Sequence, residues 1–186
     1  MAISIDLIET NGAAAIEDPI VTTGQGNLNI TRALKFGRAD DTDPNPIVRP
    51  VRGLKKSFEK YVHCQLSGID AGERLSNLQL FTSGPQYSSG VSVEVGLTQA
   101  YEAPLSTDSA VADTSIFLKT PDSPLLLTPE DQEYSSDGNN GSEILAIGDR
   151  IGDFMVLQMS VSPTAKPGMI VTNYTPVSLV FRYDEA

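Results

Sequence analysis

The end of this 186-residue chain constrains its fold most, because in two segments there apolar residues occupy every second position. Met155, Leu157, Met159 and Val161 hold alternate positions, and four apolar residues do the same over residues 177–183. A period of two is typical of β-strands with one buried face. Because proline and glycine interrupt the stretch between them, we expect two strands joined by a turn-rich connection and an antiparallel sheet.

Alternation of the same kind recurs earlier in the chain. It predicts strands at residues 3–7, 58–66, 75–81 and 91–98, a further short strand at 116–118, and a strand or a turn of helix at 144–147. No stretch of 11 or more residues has the i, i+3, i+4, i+7 apolar spacing of a helix. The sequence therefore predicts an all-β protein, a single antiparallel β-sandwich of Ig-like or jelly-roll type.

Two stretches interrupt this pattern within what we expect to be a single domain over residues 1–186. Residues 40–50 combine three aspartates with three prolines, which predicts an exposed, extended arm. Residues 102–142 are rich in proline, serine, threonine and acidic residues, which predicts a long loop excursion. Loops longer than about 15 residues in a compact domain are usually functional or disordered, so we expect contacts specific to this protein in these two stretches.

Charge argues against several partners. With 13 basic and 24 acidic residues the formal net charge is -11, which disfavours nucleic acid and anionic membranes. No apolar stretch approaches the length of about 20 residues that a helix needs to cross a bilayer, and no secretory signal is recognisable. We therefore expect a soluble protein. A local cluster of five basic residues is the exception: Arg49, Arg52, Lys55, Lys56 and Lys60. It is either solvated surface or a docking patch for an acidic protein, with Arg49, Arg52, Lys55 and Lys56 as the candidate docking residues.

The residues that catalysis uses are scarce. His63 is the single histidine and Cys64 the single cysteine, and neighbouring strand residues point to opposite faces, so these two cannot form a nucleophile–base pair. We expect Cys64 in the core and His63 at a surface or interface. The acidic loops at 40–43 and 130–143 offer calcium ligands but do not match an EF-hand, which favours solvated loops. We predict no catalytic residues, no cofactor and no metal.

Taken together, four strand sequences resemble a known group of proteins. They are SFEKY at 57–61, LSNLQLF at 75–81, MVLQM at 155–159 and VFRYDE at 180–185. In this order they look like small structural proteins of tailed bacteriophages, and the resemblance covers roughly residues 54–98 and 151–186. Each segment alone is a common strand pattern, so the resemblance rests on the ordered set.

The resemblance implies a non-enzymatic virion protein, assembled in the host cytoplasm, that contacts the major capsid protein or other virion proteins. A capsid cement or decoration protein that bridges and stabilises capsid subunits as a homo-oligomer, such as a trimer, is the leading expectation. A head-tail connector or tail component is the first alternative. From another class, the connection that begins at Ser162 and Pro163 also resembles bacterial surface Ig-like modules, which implies an adhesive or carbohydrate-binding domain.

Overall fold

A computed structural model describes residues 3–24, 27–30, 33–83, 89–166 and 178–186. Within these ranges the chain forms β-strands and two 3-10 turns, at Ile116–Leu118 and Asn139–Gly141, and contains no α-helix. The predicted all-β class is thereby confirmed. Residue 177 of the predicted terminal strand and the predicted turn-rich connection from 167 onward lie outside the described residues.

The described strands form two sheets. In chain order the strands are β1 (Ser4–Asn11), β2 (Ile16–Gly24), β3 (Asn27–Ile30), β4 (Lys55–Lys56), β5 (Lys60–Gly68), β6 (Arg74–Ser83), β7 (Val91–Thr98), β8 (Thr114–Ser115), β9 (Leu125–Leu126), β10 (Glu133–Ser135), β11 (Glu143–Ile144), β12 (Arg150–Val161) and β13 (Ser178–Glu185). The larger sheet has the order β3-β2-β1-β5-β12-β7-β8, and β4 also pairs with β12. The smaller sheet has the order β11-β10-β6-β13, and β9 also pairs with β6. Every pair is antiparallel except the parallel pair β10–β11.

Side chains of both sheets meet in one buried hydrophobic cluster. The larger sheet contributes residues at alternate positions, such as Val62 of β5 beside Met155 of β12 and Cys64 of β5 beside Ile151 of β12. The smaller sheet contributes Leu75 and Leu80 of β6. Cys64 is buried in this cluster, as the sequence predicted, and burial raises the pKa of its thiol to about 12.

Most of the predicted strands are present. Those at 3–7, 58–66, 75–81, 91–98 and 155–161 correspond to β1, β5, β6, β7 and the second half of β12, and β13 confirms the terminal strand from residue 178. The short strand predicted at 116–118 is wrong, because these residues form a 3-10 turn. Of residues 144–147 only Ile144 belongs to a strand. The sequence did not indicate β2 and β3, because β2 contains Pro19 and has no regular apolar alternation, and β3 has only four residues.

The stretch 102–142 is attached to both sheets. Its first part covers the face of the larger sheet that points away from the main cluster, where Ala112 and Val111 pack with Tyr61 and Val156. Its second part supplies β8 to the larger sheet and β9 and β10 to the smaller one. The Leu127 backbone joins the sheets directly, because its N–H donates to the Leu78 carbonyl at 2.8 Å and its carbonyl accepts from the Asp153 N–H at 2.9 Å.

The stretch 40–50 has two different halves. At its beginning the chain folds back on itself: the Arg38 N–H donates to the Asn45 carbonyl at 2.9 Å, and Pro44 is buried. The Gly12 N–H donates to Asp40 Oδ2 at 2.6 Å, which ties this loop to the end of β1. The second half contains exposed residues, among them Val48 and Arg49.

Candidate docking surface

The four candidate docking residues lie around one end of the larger sheet. Lys55 and Lys56 form β4, which pairs with Val161 and Ser160 at the C-terminal end of β12. Arg49 lies beside the residues that follow β12, since its Nη1 donates to the Ala165 carbonyl at 3.3 Å. The structure therefore places Arg49, Lys55 and Lys56 near the end of β12, with Arg52 in the exposed chain between Arg49 and Lys55.

Lys56 differs from the other three because its charge is compensated within the chain. Its Nζ lies 2.9 Å from an Asp108 oxygen and 3.2 Å from a Glu94 oxygen. Burial acts to lower the pKa of Lys56, but the hydrogen bonds to Asp108 and Glu94 outweigh burial and raise it. Lys56 therefore links β4 to β7 and to residues 102–113, which cover the outer face of the larger sheet and which we call the covering stretch. It contributes little to attraction of a partner.

Exposed apolar side chains alternate with the remaining basic residues. Val48 is 62% exposed, Val51 92% and Leu54 65%. A groove of about 530 Å³ runs beside them, lined in part by Leu54, Lys55 and Phe58. Apolar side chains with a charged rim are typical of protein-binding surfaces. We call this surface the basic–apolar patch; its members are Val48, Arg49, Val51, Arg52, Leu54 and Lys55.

Lys60, the fifth basic residue of the sequence cluster, is not on this surface. Its side chain is completely buried, and Nζ donates to Glu9 Oε1 at 2.7 Å and to the Asp41 carbonyl at 2.5 Å. Asn11, with its amide nitrogen turned toward the acids, donates to Glu9 Oε1 at 3.0 Å and to Asp40 Oδ1 at 3.2 Å. The ammonium group thus holds the acidic loop against the ends of β1 and β5, so Lys60 acts in the fold.

The covering stretch is held beside the basic–apolar patch by two buried polar side chains. Gln158 Nε2 donates to the carbonyls of Ser57 at 3.0 Å and Thr107 at 2.6 Å, and its Oε1 accepts from the Ser109 N–H at 3.0 Å. Glu59 Oε2 accepts from the Leu105 N–H at 3.0 Å. These bonds satisfy the backbone of the stretch and position the wall of the groove that contains Ser106, Thr107 and Asp108.

His63 lies in a different place from the one the sequence indicated. The expected surface or interface position is wrong, because its side chain is 1% exposed. Its ring packs edge-on against Phe154 with centroids 5.0 Å apart, and Nδ1 lies 3.4 Å from Thr10 Oγ1. Burial first, and the positive charge of Arg150 second, lower the pKa of His63 to about 4. At neutral pH the imidazole is therefore uncharged.

This lowered pKa predicts a contribution to acid sensitivity. Because the unfolded chain takes up the proton first, the stability that neutral His63 provides is complete above about pH 6.5 and is lost as the pH falls toward 4. Across that window we expect the free energy of unfolding to fall by about 3 kcal/mol more in the wild type than in a His63→Gln variant. Urea titrations of both proteins at several pH values measure the difference; parallel curves would contradict the prediction.

A second exposed apolar patch lies at the other end of β12. Ile144 is 65% exposed and Ile147 is 69% exposed, and both lie just before β12 begins. Glu143 and Asp149 flank them and are exposed. We call these four residues the acidic–apolar patch. The sequence indicated only an acidic loop at 130–143 and a strand or a turn of helix at 144–147. It did not indicate that Ile144 and Ile147 are exposed, because period-two alternation does not distinguish an exposed isoleucine from a buried one.

Comparisons of this chain with protein-family models, with curated proteins and with solved structures found no match. Within the described ranges no group of three or more His, Cys, Asp or Glu side chains is placed to hold a metal ion. A search of the same part of the chain found no helix with the length and apolarity needed to span a membrane.

Proposed function

We propose that this chain is a non-enzymatic structural virion protein of a tailed bacteriophage, most consistent with a capsid cement or decoration protein. Its role is to bridge neighbouring subunits of the capsid and stabilise them. The ordered set of strand sequences that resembles such proteins is one support. We further interpret the two packed sheets as an antiparallel sandwich of Ig-like or jelly-roll type, which the strand pattern of the sequence predicts.

The observation that carries the proposal is the pair of exposed patches. A bridging protein needs two separate contact surfaces on a stiff body. Here one surface is basic and apolar, the other is acidic and apolar, and β12 connects the two ends. Many copies on a lattice make individually weak contacts effective, because each further contact forms at high effective concentration.

The placement of the reactive side chains supports a structural role over an enzymatic one. Cys64 is buried, and a pKa of about 12 keeps its thiol protonated at neutral pH. His63 is enclosed by Phe154 and Thr10. Neither group is accessible to a substrate in this conformation.

Binding to capsids tests the proposal. Purified protein is mixed with expanded capsids that lack it, and the capsids are separated by sedimentation. We expect saturable binding with hundreds of copies per particle, together with density on the outer surface in an image reconstruction. Lack of binding, or a virion without multiple external copies, would rule out the decoration role.

The number of copies in purified particles also separates the alternatives. About six or twelve copies at one vertex would identify a connector or tail component, because those assemblies are cyclic. Binding to glycans with no virion association would identify an adhesive or carbohydrate-binding module. Quantitative mass spectrometry of particles and a glycan-binding assay supply the two measurements.

A further inference from the structure

The two patches lie at opposite ends of the longest strand. The basic–apolar patch adjoins Ser160 and Val161, the last residues of β12, through their pairing with β4. The acidic–apolar patch immediately precedes Arg150, the first residue of β12, and is tied to β5 by the Leu66 N–H, which donates to the Asp149 carbonyl at 2.9 Å. β12 has 12 residues, and a register shift between Ile151 and Met155 shortens its span by about two of them, so the ends are roughly 30 Å apart at about 3.3 Å per residue.

The charges at these two ends are opposite. Residues 44–58 contain four basic residues and no acidic one, and three of the four remain after Lys56 is paired with Glu94 and Asp108. Residues 130–149 contain six acidic residues and no basic one. Both segments lie within the described residues, and both present exposed apolar side chains. The chain therefore carries two surfaces that complement each other in charge and that both leave apolar area in water.

We propose that the basic–apolar patch of one molecule docks on the acidic–apolar patch of a second copy, in a head-to-tail arrangement. The occupant of each patch is thus another molecule of this chain, which supplies both opposite charge and apolar side chains. A two-fold contact of like patches is disfavoured because charges of the same sign would face each other. This self-association goes beyond the proposed function, because it requires no capsid: it concerns the free protein in solution, where no capsid subunit covers the two patches.

The geometry also limits the kind of assembly. A contact between two different patches can form twice in an antiparallel dimer with a two-fold axis, close into a larger ring if the rotation per subunit permits, or extend as a filament. The six side chains of the basic–apolar patch are fewer than the about 20 to 30 residues per side of a standard interface. We therefore expect association that depends on concentration and weakens with salt, since raising the ionic strength from about 0.1 M to 1 M shortens the Debye length from about 10 Å to 3 Å.

Charge reversal tests the contact. One variant carries Arg52→Glu and Lys55→Glu in the basic–apolar patch. The other carries Glu143→Lys together with Glu130→Lys; Glu130 is exposed and follows Pro129, which lines the same cavity as Glu143. The first variant brings the net charge of residues 44–58 from +4 to 0, and the second brings that of residues 130–149 from -6 to -2, so each variant should associate with itself more weakly than the wild type. Mixed together, the two variants retain one unaltered contact, between the acidic–apolar patch of the first and the basic–apolar patch of the second.

The masses of the full-length proteins in solution decide the outcome. In sedimentation equilibrium at low salt we expect the wild type to associate, each variant alone to associate at least about tenfold more weakly, and an equimolar mixture to recover association. A wild type that stays monomeric up to its solubility limit overturns the proposal. So does a mixture that remains monomeric, or a variant that associates as the wild type does.

A second measurement does not depend on charge reversal. Leu54→Cys places a thiol in the basic–apolar patch and Ile147→Cys one in the acidic–apolar patch, whereas native Cys64 is buried. A short bismaleimide should link these two variants to each other much more efficiently than either to itself. Leu118→Cys is the control, because Leu118 is exposed but belongs to neither patch. Equal linking of Leu118→Cys with Ile147→Cys would overturn the proposal.

Discussion

Replacing Lys60 by methionine is expected to lower the free energy of unfolding by about 3–5 kcal/mol. The substitution removes the ammonium group that donates to Glu9 Oε1 and to the Asp41 carbonyl, and it leaves the Glu9 carboxylate completely buried without its cation. An uncompensated buried charge is far more costly than the loss of one hydrogen bond. Urea unfolding measures the effect, because urea is uncharged and does not screen the ion pair.

Two further variants show whether the cost arises from the buried charge. The double variant Glu9→Gln with Lys60→Met removes both charges and should recover about 2 kcal/mol relative to Lys60→Met alone. Lys35→Met is the matched surface control: it breaks an ion pair with Asp43 at 2.7 Å in which both side chains are exposed, and we expect it to cost far less than Lys60→Met. If Lys60→Met costs no more than Lys35→Met, the buried pair does not hold the acidic loop in place.

The parts of the fold that follow from local pattern were predictable. Alternation predicted β1, β5, β6 and β7, and placed Cys64 on the core face of β5, because a strand residue and its neighbours two positions away share one face. The short strand at 116–118 failed because three apolar or aromatic residues in a row carry no period-two signal. Alternation also did not predict that the covering stretch would bury the face of the larger sheet that points away from the main cluster.

Partners far apart in the chain explain the failures at single residues. Lys60 belongs to a basic run in the sequence, and its burial depends on Glu9, 51 residues earlier. His63 has polar neighbours in the sequence, and its burial depends on Phe154, 91 residues later. The charges of the two patches were visible in the sequence, but their positions at opposite ends of β12 follow only from the pairing of β4 with residues 160–161 and from the turn before Arg150.

The contact between Leu127 and β12 leads to the second large effect. Gly152 has a left-handed backbone with φ of 70°, and a Cβ at this position would collide with the Leu127 carbonyl. That carbonyl accepts from the Asp153 N–H at 2.9 Å, and the Leu127 N–H donates to Leu78 of the smaller sheet. Because backbone atoms cannot move aside as a flexible side chain can, Gly152→Ala should destabilise the protein by about 3 kcal/mol.

Gly12→Ala separates this collision from the cost of the left-handed backbone itself. Gly12 has the same φ of 70°, but a Cβ there would have no atom within 4 Å, so we expect a loss of about 1 kcal/mol. The difference of about 2 kcal/mol between the two variants then measures how tightly the Leu127 backbone is held between the sheets. Equal losses in urea unfolding would mean that the backbone at Leu127 can move away from β12, and that Leu127 does not join the two sheets rigidly.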